Sequence, residues 1–414
     1  MKLIKLFTIL LGCMALTQSY HVLGQNHICG AGKLTTGHFD AHDNLLAKKT
    51  SSTDLHTVNV VFHVVYNTPE QNLHDSIIMN QFEIIKNDFR RTNADTNNMR
   101  SVFQDIVGDP RIKFQMATED PVGNATNGIT RTQTSKLSFD HDSQQAEKVK
   151  FTSEEGKDPW DSDKYLNIWI CNMTENPNIT IYGYSSPNVP VLNWTQADIT
   201  ERDGVVLQYQ LVGSNNPNLI TNSFGITKDV RGRIATHEIG HYFGLMHIFN
   251  DGCNDEGDGI EDTPKAESSL AGVSCDVLNE CVDNIGTLGD LPNMYENYMD
   301  YSNEACQNSF TLGQINFMRN FLETHRSGLL NTPVGITETT PIWTIAVNPE
   351  SNTVIINSKD NNMKSILIYD QLGRMVKSIH KQTNQQLINH LNNGIYFIQV
   401  SFENGNISTK KIGL

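Results

Sequence analysis

Apolar and polar positions alternate in several short runs of the chain's first half. Alternation of this kind is typical of half-buried strands, and it predicts strands over residues 58–66, 112–117, 165–171 and 204–211. Between the first two runs, apolar residues are spaced as on one face of a helix, which predicts a helix over 76–91. The first half should therefore fold as a mixed twisted sheet backed by helices.

Two further helices are predicted downstream. Apolar spacing favours a helix from about residue 231 to residue 243, and Gly244 follows at the place where a left-handed residue would end it. Another helix is expected to begin at Thr311, because Thr311 and Gln314 have the spacing of a capping box.

The pattern changes after residue 332. A stretch rich in threonine, residues 333–341, has the composition of a linker. Beyond it, short alternating runs separated by turn residues predict strands over 342–347, 353–357, 365–369 and 395–400. We therefore predict an α+β unit followed by a separate small all-β sandwich over residues 342–414.

The N-terminus has the pattern of an exported protein. Two lysines flank the start of the chain, and the apolar stretch 6–16 has the length of a signal-peptide core. A signal peptide over residues 1–24 and a polar pro-segment over residues 25–55 are therefore expected. A lipoprotein-type site at Cys13 is disfavoured, because few apolar residues precede it. No later run reaches the roughly 18 apolar residues of a membrane helix, so we expect a secreted or cell-surface product without a membrane span.

Charge and cysteine content narrow the possible partners. The chain of 414 residues carries a formal charge of -15 and has no basic run, whereas nucleic acids and anionic membranes recruit clusters of lysine and arginine. Nucleic acid is therefore not expected as a partner. Four of the seven cysteines lie between residues 253 and 306, as expected of disulfides formed outside the cytoplasm, and their spacing leaves three connectivities open.

The string HEIGHYFGLMH, which begins at His237, has the spacing of a metal site. On a helix, His237 and His241 lie one turn apart on the same face, which suits two imidazole ligands of one zinc ion. Gly244 allows the chain to leave the helix and bring His247 to the metal, with the fourth position left open. Glu238 lies beside that face, where its carboxylate can take a proton from a zinc-bound water as general base.

These residues predict a secreted zinc-dependent endopeptidase that hydrolyses internal bonds of protein or peptide substrates. The alternative is a secreted adhesion or binding protein with a structural zinc site. Structural zinc sites are usually closed by four protein ligands, whereas three histidines and an adjacent carboxylate are typical of a catalytic site.

The same string resembles the signature of the metzincin clan of zinc peptidases, HExxHxxGxxH followed by a turn that contains methionine. The segment NYMDYS, residues 297–302, offers such a turn. The resemblance implies that Met299 forms an apolar floor beneath the zinc. It also implies that Tyr301 bonds the metal or the oxyanion of the tetrahedral intermediate.

Within that clan the chain resembles the pappalysin family over about residues 56–330. The stretch GDGIEDTP that begins at Gly257, the MDYS turn, Cys306 and the pattern that opens the helix at Thr311 carry this resemblance. It implies a metzincin-like catalytic domain, which we place over residues 56–332. The implied disulfides are Cys253 with Cys281 and Cys275 with Cys306.

The loop from Asp251 to Pro264 is densely acidic. Like charges repel unless they are solvated or bind a hard cation. Members of the pappalysin family bind calcium here, and the resemblance implies calcium ligands at Asp258, Asp262 and Thr263. A solvated acidic loop is the alternative.

Cys29, followed by glycine, stands in the predicted pro-segment. A thiolate is a strong zinc ligand, so Cys29 could fill the open position and keep the precursor latent. The resemblance supports this latency switch, because family precursors carry a comparable Cys-Gly pair. An exposed unpaired thiol and a pairing with Cys171 are the alternatives, although Cys171 is expected to be a buried core thiol.

The C-terminal unit resembles the type A sorting domain of the type IX secretion system. The resemblance is carried by residues 347–349, 369–373, 394–397 and 410–411. It implies export across the outer membrane by the secretion machinery. A generic β-sandwich binding module is the alternative.

Glu304 follows closely after the turn NYMDYS. A carboxylate at this place would favour a basic residue after the scissile bond. Alternatively, Glu304 would be an ordinary exposed acid.

Overall fold

The computed structural model describes most of the chain. The described residues are 54–139, 146–173, 181–186, 196–221, 227–254, 257–270, 275–330, 343–348, 353–358, 363–370, 375–380, 385–389, 391–392, 394–402 and 407–414. The predicted signal peptide, the linker over 333–341, Cys13 and Cys29 lie outside them, as does all but the end of the predicted pro-segment. The chain divides into two compact units, Met1–Thr332 and Pro333–Leu414.

A six-stranded sheet forms the centre of the first unit. Its strands are β1 (His56–Tyr66), β2 (Ile112–Met116), β3 (Ile129–Gln133), β4 (Leu166–Cys171), β5 (Gly183–Ser186) and β6 (Gly204–Gln208). β1 pairs in parallel with β2, β3 and β4, and β4 pairs in parallel with β6. β5 lies at one edge, antiparallel to β6. This edge is the part of the sheet that approaches the metal site described below.

The predicted strands of this unit are confirmed, with one shortened. The run that we predicted to be a strand over 204–211 leaves the sheet after Gln208, and Tyr209–Leu211 form a 3₁₀ turn. β3 and β5 were not predicted, because β3 is mostly polar and has no buried residue, and β5 is only four residues long.

Four α-helices are described in the first unit. They are α1 (Asp75–Asp88), α2 (Gln196–Arg202), α3 (Arg233–Tyr242) and α4 (Leu312–His325). The predicted capping box of α4 is confirmed: the Gln314 N–H donates to Thr311 Oγ1 at 3.1 Å, and the Thr311 N–H donates to Gln314 Oε1 at 3.0 Å. α1 ends before the predicted residue 91, and α3 begins after Gly232 rather than at residue 231.

The main core of this unit lies between the sheet and the helices. It joins Phe62 of β1, Ile78 of α1, Ile239 of α3 and Phe317 of α4, all nearly or fully buried. Because α3 is held from both sides by apolar contacts, its position relative to the sheet is well determined. Among the described residues, no helix is long and apolar enough to cross a membrane.

Two disulfides stabilise the segment between α3 and α4. Cys253 is bonded to Cys281 and Cys275 to Cys306, which is the pairing that the family resemblance implies. Each closes a loop of about 30 residues, for which the chain-entropy model gives about 3 to 4 kcal/mol. Cys171 in β4 is a buried free thiol, as expected from its apolar strand.

The second unit consists of two antiparallel sheets. Their seven strands are β7 (Trp343–Asn348), β8 (Thr353–Ser358), β9 (Met363–Asp370), β10 (Met375–Ile379), β11 (Gln385–Ile388), β12 (Ile395–Phe402) and β13 (Ile407–Gly413). The strand orders are β10-β9-β12-β13 and β11-β8-β7. Trp343 and Ile356 of one sheet share a buried core with Ile368 and Ile398 of the other. The predicted fold class, an α+β unit followed by a small all-β unit, is therefore confirmed.

Candidate metal centre

Three histidine side chains converge beside α3. His237 and His241 project from consecutive turns of the helix, and His247 comes from the segment that follows it. His241 Nε2 lies 3.1 Å from His237 Nε2 and 3.0 Å from His247 Nε2. Three nitrogen ligands this close leave room for one ion at about 2 Å from each.

Backbone carbonyls orient two of these rings. His237 Nδ1 donates to the Tyr298 carbonyl at 2.7 Å, and His241 Nδ1 donates to the Leu245 carbonyl at 2.7 Å. Each ring therefore carries its proton on Nδ1 and presents an unprotonated Nε2 to the common centre. Lone pairs that face one another at about 3 Å repel unless a cation lies between them. The residues present thus fit a metal ion.

Burial keeps these imidazoles neutral. Desolvation lowers the pKa of His237 and His247 well below the ordinary value, and it lowers the pKa of His241 to about 4. Neutral imidazole is the form that ligates metals, so the site does not have to lose protons at neutral pH before it binds.

Gly244 supplies the turn that brings in the third histidine. Its φ is +89°, in the left-handed region that glycine adopts without strain. A Cβ at this position would lie 2.8 Å from a ring atom of Phe321, so packing against α4 also requires glycine. The chain then returns towards the site, and Ile248 N donates to the Met299 carbonyl at 3.4 Å.

Met299 lies directly under the helix that carries the first two histidines. Its side chain is fully buried, and its sulfur occupies the space where a Cβ of Gly240 would stand. The turn is fixed by Asn297, whose Oδ1 accepts from Met299 N at 2.9 Å and whose amide donates to Gln314 of α4 at 2.9 Å. Met299 therefore packs against the part of α3 that carries His237 and His241.

A buried polar network supports the same turn from below. Arg233 donates to the Tyr298 hydroxyl at 2.6 Å and lies 3.0 Å from the Asp88 carboxylate. Asp88 also accepts from Thr236 at 2.6 Å. Because Tyr298 orients His237 through its carbonyl, this network connects α1, α3 and the methionine turn to the position of one imidazole.

Glu238 lies next to His237 on α3 and is fully buried. Its neighbour across the gap is Gly183 of the edge strand β5, where a Cβ would stand 2.7 Å from Glu238 Cγ and 3.0 Å from Oε1. The carboxylate therefore fits only because strand β5 has no side chain at this position. Neither Gly183 nor its strand was identified from the sequence, since a contact across the fold leaves no local pattern.

Tyr301 closes another side of the site. Its ring centroid lies 4.9 Å from that of His247, 5.6 Å from that of His237 and 4.9 Å from that of Phe249. These contacts place the ring of Tyr301 beside the histidine cluster.

The acidic loop contains one buried carboxylate, that of Asp258, and one half-buried carboxylate, that of Asp262. Asp258 is 4% exposed and Asp262 accepts from Gly313 N of α4 at 2.7 Å. Desolvation raises the pKa of both carboxyl groups. Asp258 Oδ2 and Asp262 Oδ1 are buried without a hydrogen-bond partner among the described residues, and Thr263 is buried close by. Neither of these two carboxylates is therefore fully exposed to solvent.

Glu304 is not an exposed acid. It is 1% exposed, and Lys228 Nζ lies 3.0 Å from its Oε1. The alternative that it is an ordinary surface carboxylate is therefore wrong. Lys228 was not singled out from the sequence, because it is remote from Glu304 along the chain.

Together, the sheet, the histidine helix, the glycine turn and the buried methionine define the metzincin class of metalloproteases. Residues 151–323 match the family model described as Pregnancy-associated plasma protein-A, of the M43 peptidases. Residues 347–413 match the secretion system C-terminal sorting domain.

Solved structures extend the match over the first unit. Mature mirolysin of Tannerella forsythia, determined with a cleaved peptide, is 34% identical and covers 68% of this chain and 97% of its own, with a TM-score of 0.56. A promirolysin mutant of the same organism is 31% identical and has a TM-score of 0.59. The match covers 73% of this chain and 96% of the promirolysin chain. This chain therefore belongs to the pappalysin family of metalloproteases.

A curated relative is matched over a shorter span. An extracellular metalloprotease of Pyricularia oryzae is 39% identical over 97 residues, which are 23% of this chain and 32% of the relative. The chain thus spans about a third of the length of that relative. Family membership implies a metal, and the histidine cluster is the group of described residues that fits it.

Proposed function

We propose that this chain is a secreted zinc-dependent endopeptidase that hydrolyses internal peptide bonds of proteins. The observation that carries the proposal is the convergence of the Nε2 atoms of three neutral histidines, with a buried glutamate beside them on the same helix. Three neutral nitrogen ligands leave a coordination position open, as catalytic zinc sites do and structural sites do not.

Each residue of the site has a separate task. His237, His241 and His247 would hold the zinc, which when bound lowers the pKa of water and polarises the peptide carbonyl. Glu238 takes a proton from the attacking water as general base and later delivers it to the leaving amine. Tyr301, whose ring lies beside His237 and His247, would donate a hydrogen bond to the oxygen that becomes negative during the reaction.

The supporting residues keep this arrangement in place. Met299 fills the space under α3, and Gly244 allows the turn towards His247. A secreted binding protein with a structural zinc is the competing function. It would need no buried carboxylate beside the metal, and it would tolerate the loss of Glu238.

Substitution of Glu238 by alanine tests the proposal. We expect the rate of peptide hydrolysis to fall by about 100-fold or more, because the general base is lost, while bound zinc measured by mass spectrometry stays at one per chain. Glu83→Ala is the matched control, since Glu83 is a half-exposed glutamate on α1 that pairs with Lys86. Full activity of the Glu238 variant, or of protein shown to be metal-free, would refute the proposal.

We further propose a calcium ion at the acidic loop, held by Asp258, Asp262 and Thr263. The support is the pair of buried carboxylate oxygens that lack protein partners among the described residues. Hard oxygen ligands of this kind suit calcium.

Two proposals concern the precursor and rest on the sequence. A signal peptide over 1–24 and the sorting domain over 342–414, joined to the catalytic domain over 56–332 by a linker, would direct export. Cys29 in the pro-segment over 25–55 would occupy the open zinc position until the segment is removed. If Cys29 is this switch, an uncleaved Cys29→Ala precursor should be more active than the unmodified precursor.

A further inference from the structure

One of the three histidines at the metal site lacks the hydrogen bond that orients the other two. His237 and His241 each donate from Nδ1 to a backbone carbonyl, at 2.7 Å in both cases. His247 Nδ1 has no hydrogen-bond partner among the described residues, and the nitrogen that faces His241 is its Nε2. Metal-bound histidines usually donate the second ring nitrogen to such a partner, which fixes the orientation of the ring. The orientation of the His247 ring therefore depends on other contacts.

The other contacts of this ring include two aromatic side chains. The ring of Phe249 lies nearly parallel to that of His247, at an angle of 9° and with the centroids 4.7 Å apart. The ring of Tyr301 meets both at steep angles, 72° to His247 and 65° to Phe249, with centroid distances of 4.9 Å. Parallel and edge-on contacts at about 4.5 to 7 Å are the favourable arrangements of aromatic pairs. A plane against the imidazole and a second ring beside it restrict how the imidazole can rotate.

Phe249 is itself held in place by its surroundings. Its side chain is partly buried and packs against the main core of the first unit. The preceding residue, Ile248, is 1% exposed, and its N–H donates to the Met299 carbonyl at 3.4 Å. The N–H of Asn250 donates to the His247 carbonyl at 3.0 Å, which closes a turn over this segment. His247 and Phe249 thus belong to one anchored turn, and their rings are held together by it.

We propose that Phe249 is a positioning residue, whose ring orients the His247 imidazole towards the metal and holds Tyr301 beside it. The stack takes the part that a hydrogen bond has for the other two histidines. This inference rests on the proposed zinc site. An aliphatic side chain could fill the same space, but it would present no plane to the imidazole. A planar side chain is therefore required for positioning, whereas any apolar side chain of similar size suffices for packing.

Two substitutions in the full-length chain test this role. Phe249→Leu keeps an apolar side chain and removes the plane. We expect the dissociation constant for zinc, measured by competition with a chromophoric chelator, to rise by about 10-fold. With zinc saturating, kcat should also fall by about 10-fold, because Tyr301 loses the ring that holds it. Phe249→Tyr keeps the plane, so both values should stay within about twofold of those of the wild-type protein.

Phe151→Leu is the matched control. Phe151 is likewise partly buried and also lies against a planar group, since the guanidinium carbon of Arg202 is 5.0 Å from its ring centroid. Its segment precedes β4 and contributes no residue to the histidine cluster. This variant should keep the wild-type zinc affinity and kcat. If Phe249→Leu does not fold, Phe249→Ile, which also lacks a ring, is measured in its place.

The outcomes separate this inference from the proposed function. Wild-type zinc affinity and kcat in the leucine or isoleucine variant would overturn the role of Phe249. An equal loss in Phe249→Leu and Phe249→Tyr would overturn it as well, because the plane would then not be the property that matters. Both results leave zinc binding and hydrolysis by the wild-type protein untouched. A wild-type protein that binds no zinc and cleaves no peptide would overturn the proposed function, and this inference would fall with it.

Discussion

At the scale of single residues, the position of the proposed general base, Glu238, depends on the absence of a side chain at Gly183. Glu238 occupies its place because Gly183 has no Cβ, and any Cβ there would lie 2.7 Å from Glu238 Cγ. Such a distance is far inside van der Waals contact, so a larger residue must push the carboxylate away. Small displacements of a catalytic group are costly, because reacting atoms must meet in a narrow range of geometry.

We therefore expect Gly183→Ala to lower kcat/KM by about 10-fold to 100-fold while zinc content stays unchanged. Overpacking should also reduce stability by about 1–3 kcal/mol, so the rates are measured well below the melting temperature. Gly413→Ala is the control, since a Cβ at Gly413 meets nothing within 4 Å. Wild-type kcat/KM in Gly183→Ala would show that Glu238 does not depend on this contact.

The sequence revealed site residues that share a local spacing. His237, His241 and His247 stand within one short segment, so the helix and the turn at Gly244 bring them together. Gly183 and Lys228 could not be found in this way. Each acts on a residue far away in the chain, and only the folded sheet and the methionine turn bring the partners into contact.

At the scale of elements, strands with a strong hydrophobic pattern were predicted from the sequence, and strands with a weak pattern were not. β1 and β4 are apolar and almost fully buried, and both were predicted. β3 has the sequence ITRTQ and an exposed pattern, and β5 has the sequence GYSS, so neither has a hydrophobic signal. Their strand conformation comes from pairing with β1 and β6, which is a tertiary effect.

The acidic loop contacts α4 next to the proposed calcium site. Asp262 accepts from Gly313 N at the start of α4, and Thr263 Oγ1 lies 3.3 Å from Thr311 Oγ1. A cation that binds only the folded loop stabilises it by mass action, by about 3 kcal/mol at a free concentration 100 times the dissociation constant. We expect calcium to raise the melting temperature by several degrees in differential scanning calorimetry.

Two variants separate a specific calcium site from general screening of the acidic surface. Asp258→Asn should abolish most of the calcium-induced shift, because Asp258 is buried at the site. Asp161→Asn should keep the shift, since Asp161 is an exposed partner of Lys164. The same shift in both variants, or none in the wild-type protein, would refute the site.

At the scale of the whole molecule, the main cores of the two units share no residue. The first lies between the mixed sheet and α1, α3 and α4, whereas the second lies between the two antiparallel sheets. The change in hydrophobic pattern after residue 332 indicated this division, because strand-length alternation replaced helical spacing. Independent cores predict independent folding.

A chain that ends at Thr332 should therefore keep its activity. Every proposed zinc ligand, Glu238 and both disulfides lie in the first unit, so kcat/KM on a model peptide should stay within about twofold of the full-length value.

Ile398→Asp in the full-length chain provides a second way to disable the sorting unit, since Ile398 is fully buried in its core. It should unfold that unit and likewise leave hydrolysis intact. In the native cell both proteins should fail to be released, because the matched sorting domain is missing or unfolded. Loss of hydrolysis on truncation would mean that the first unit needs the second to fold, and normal release of the truncated chain would contradict the role in export.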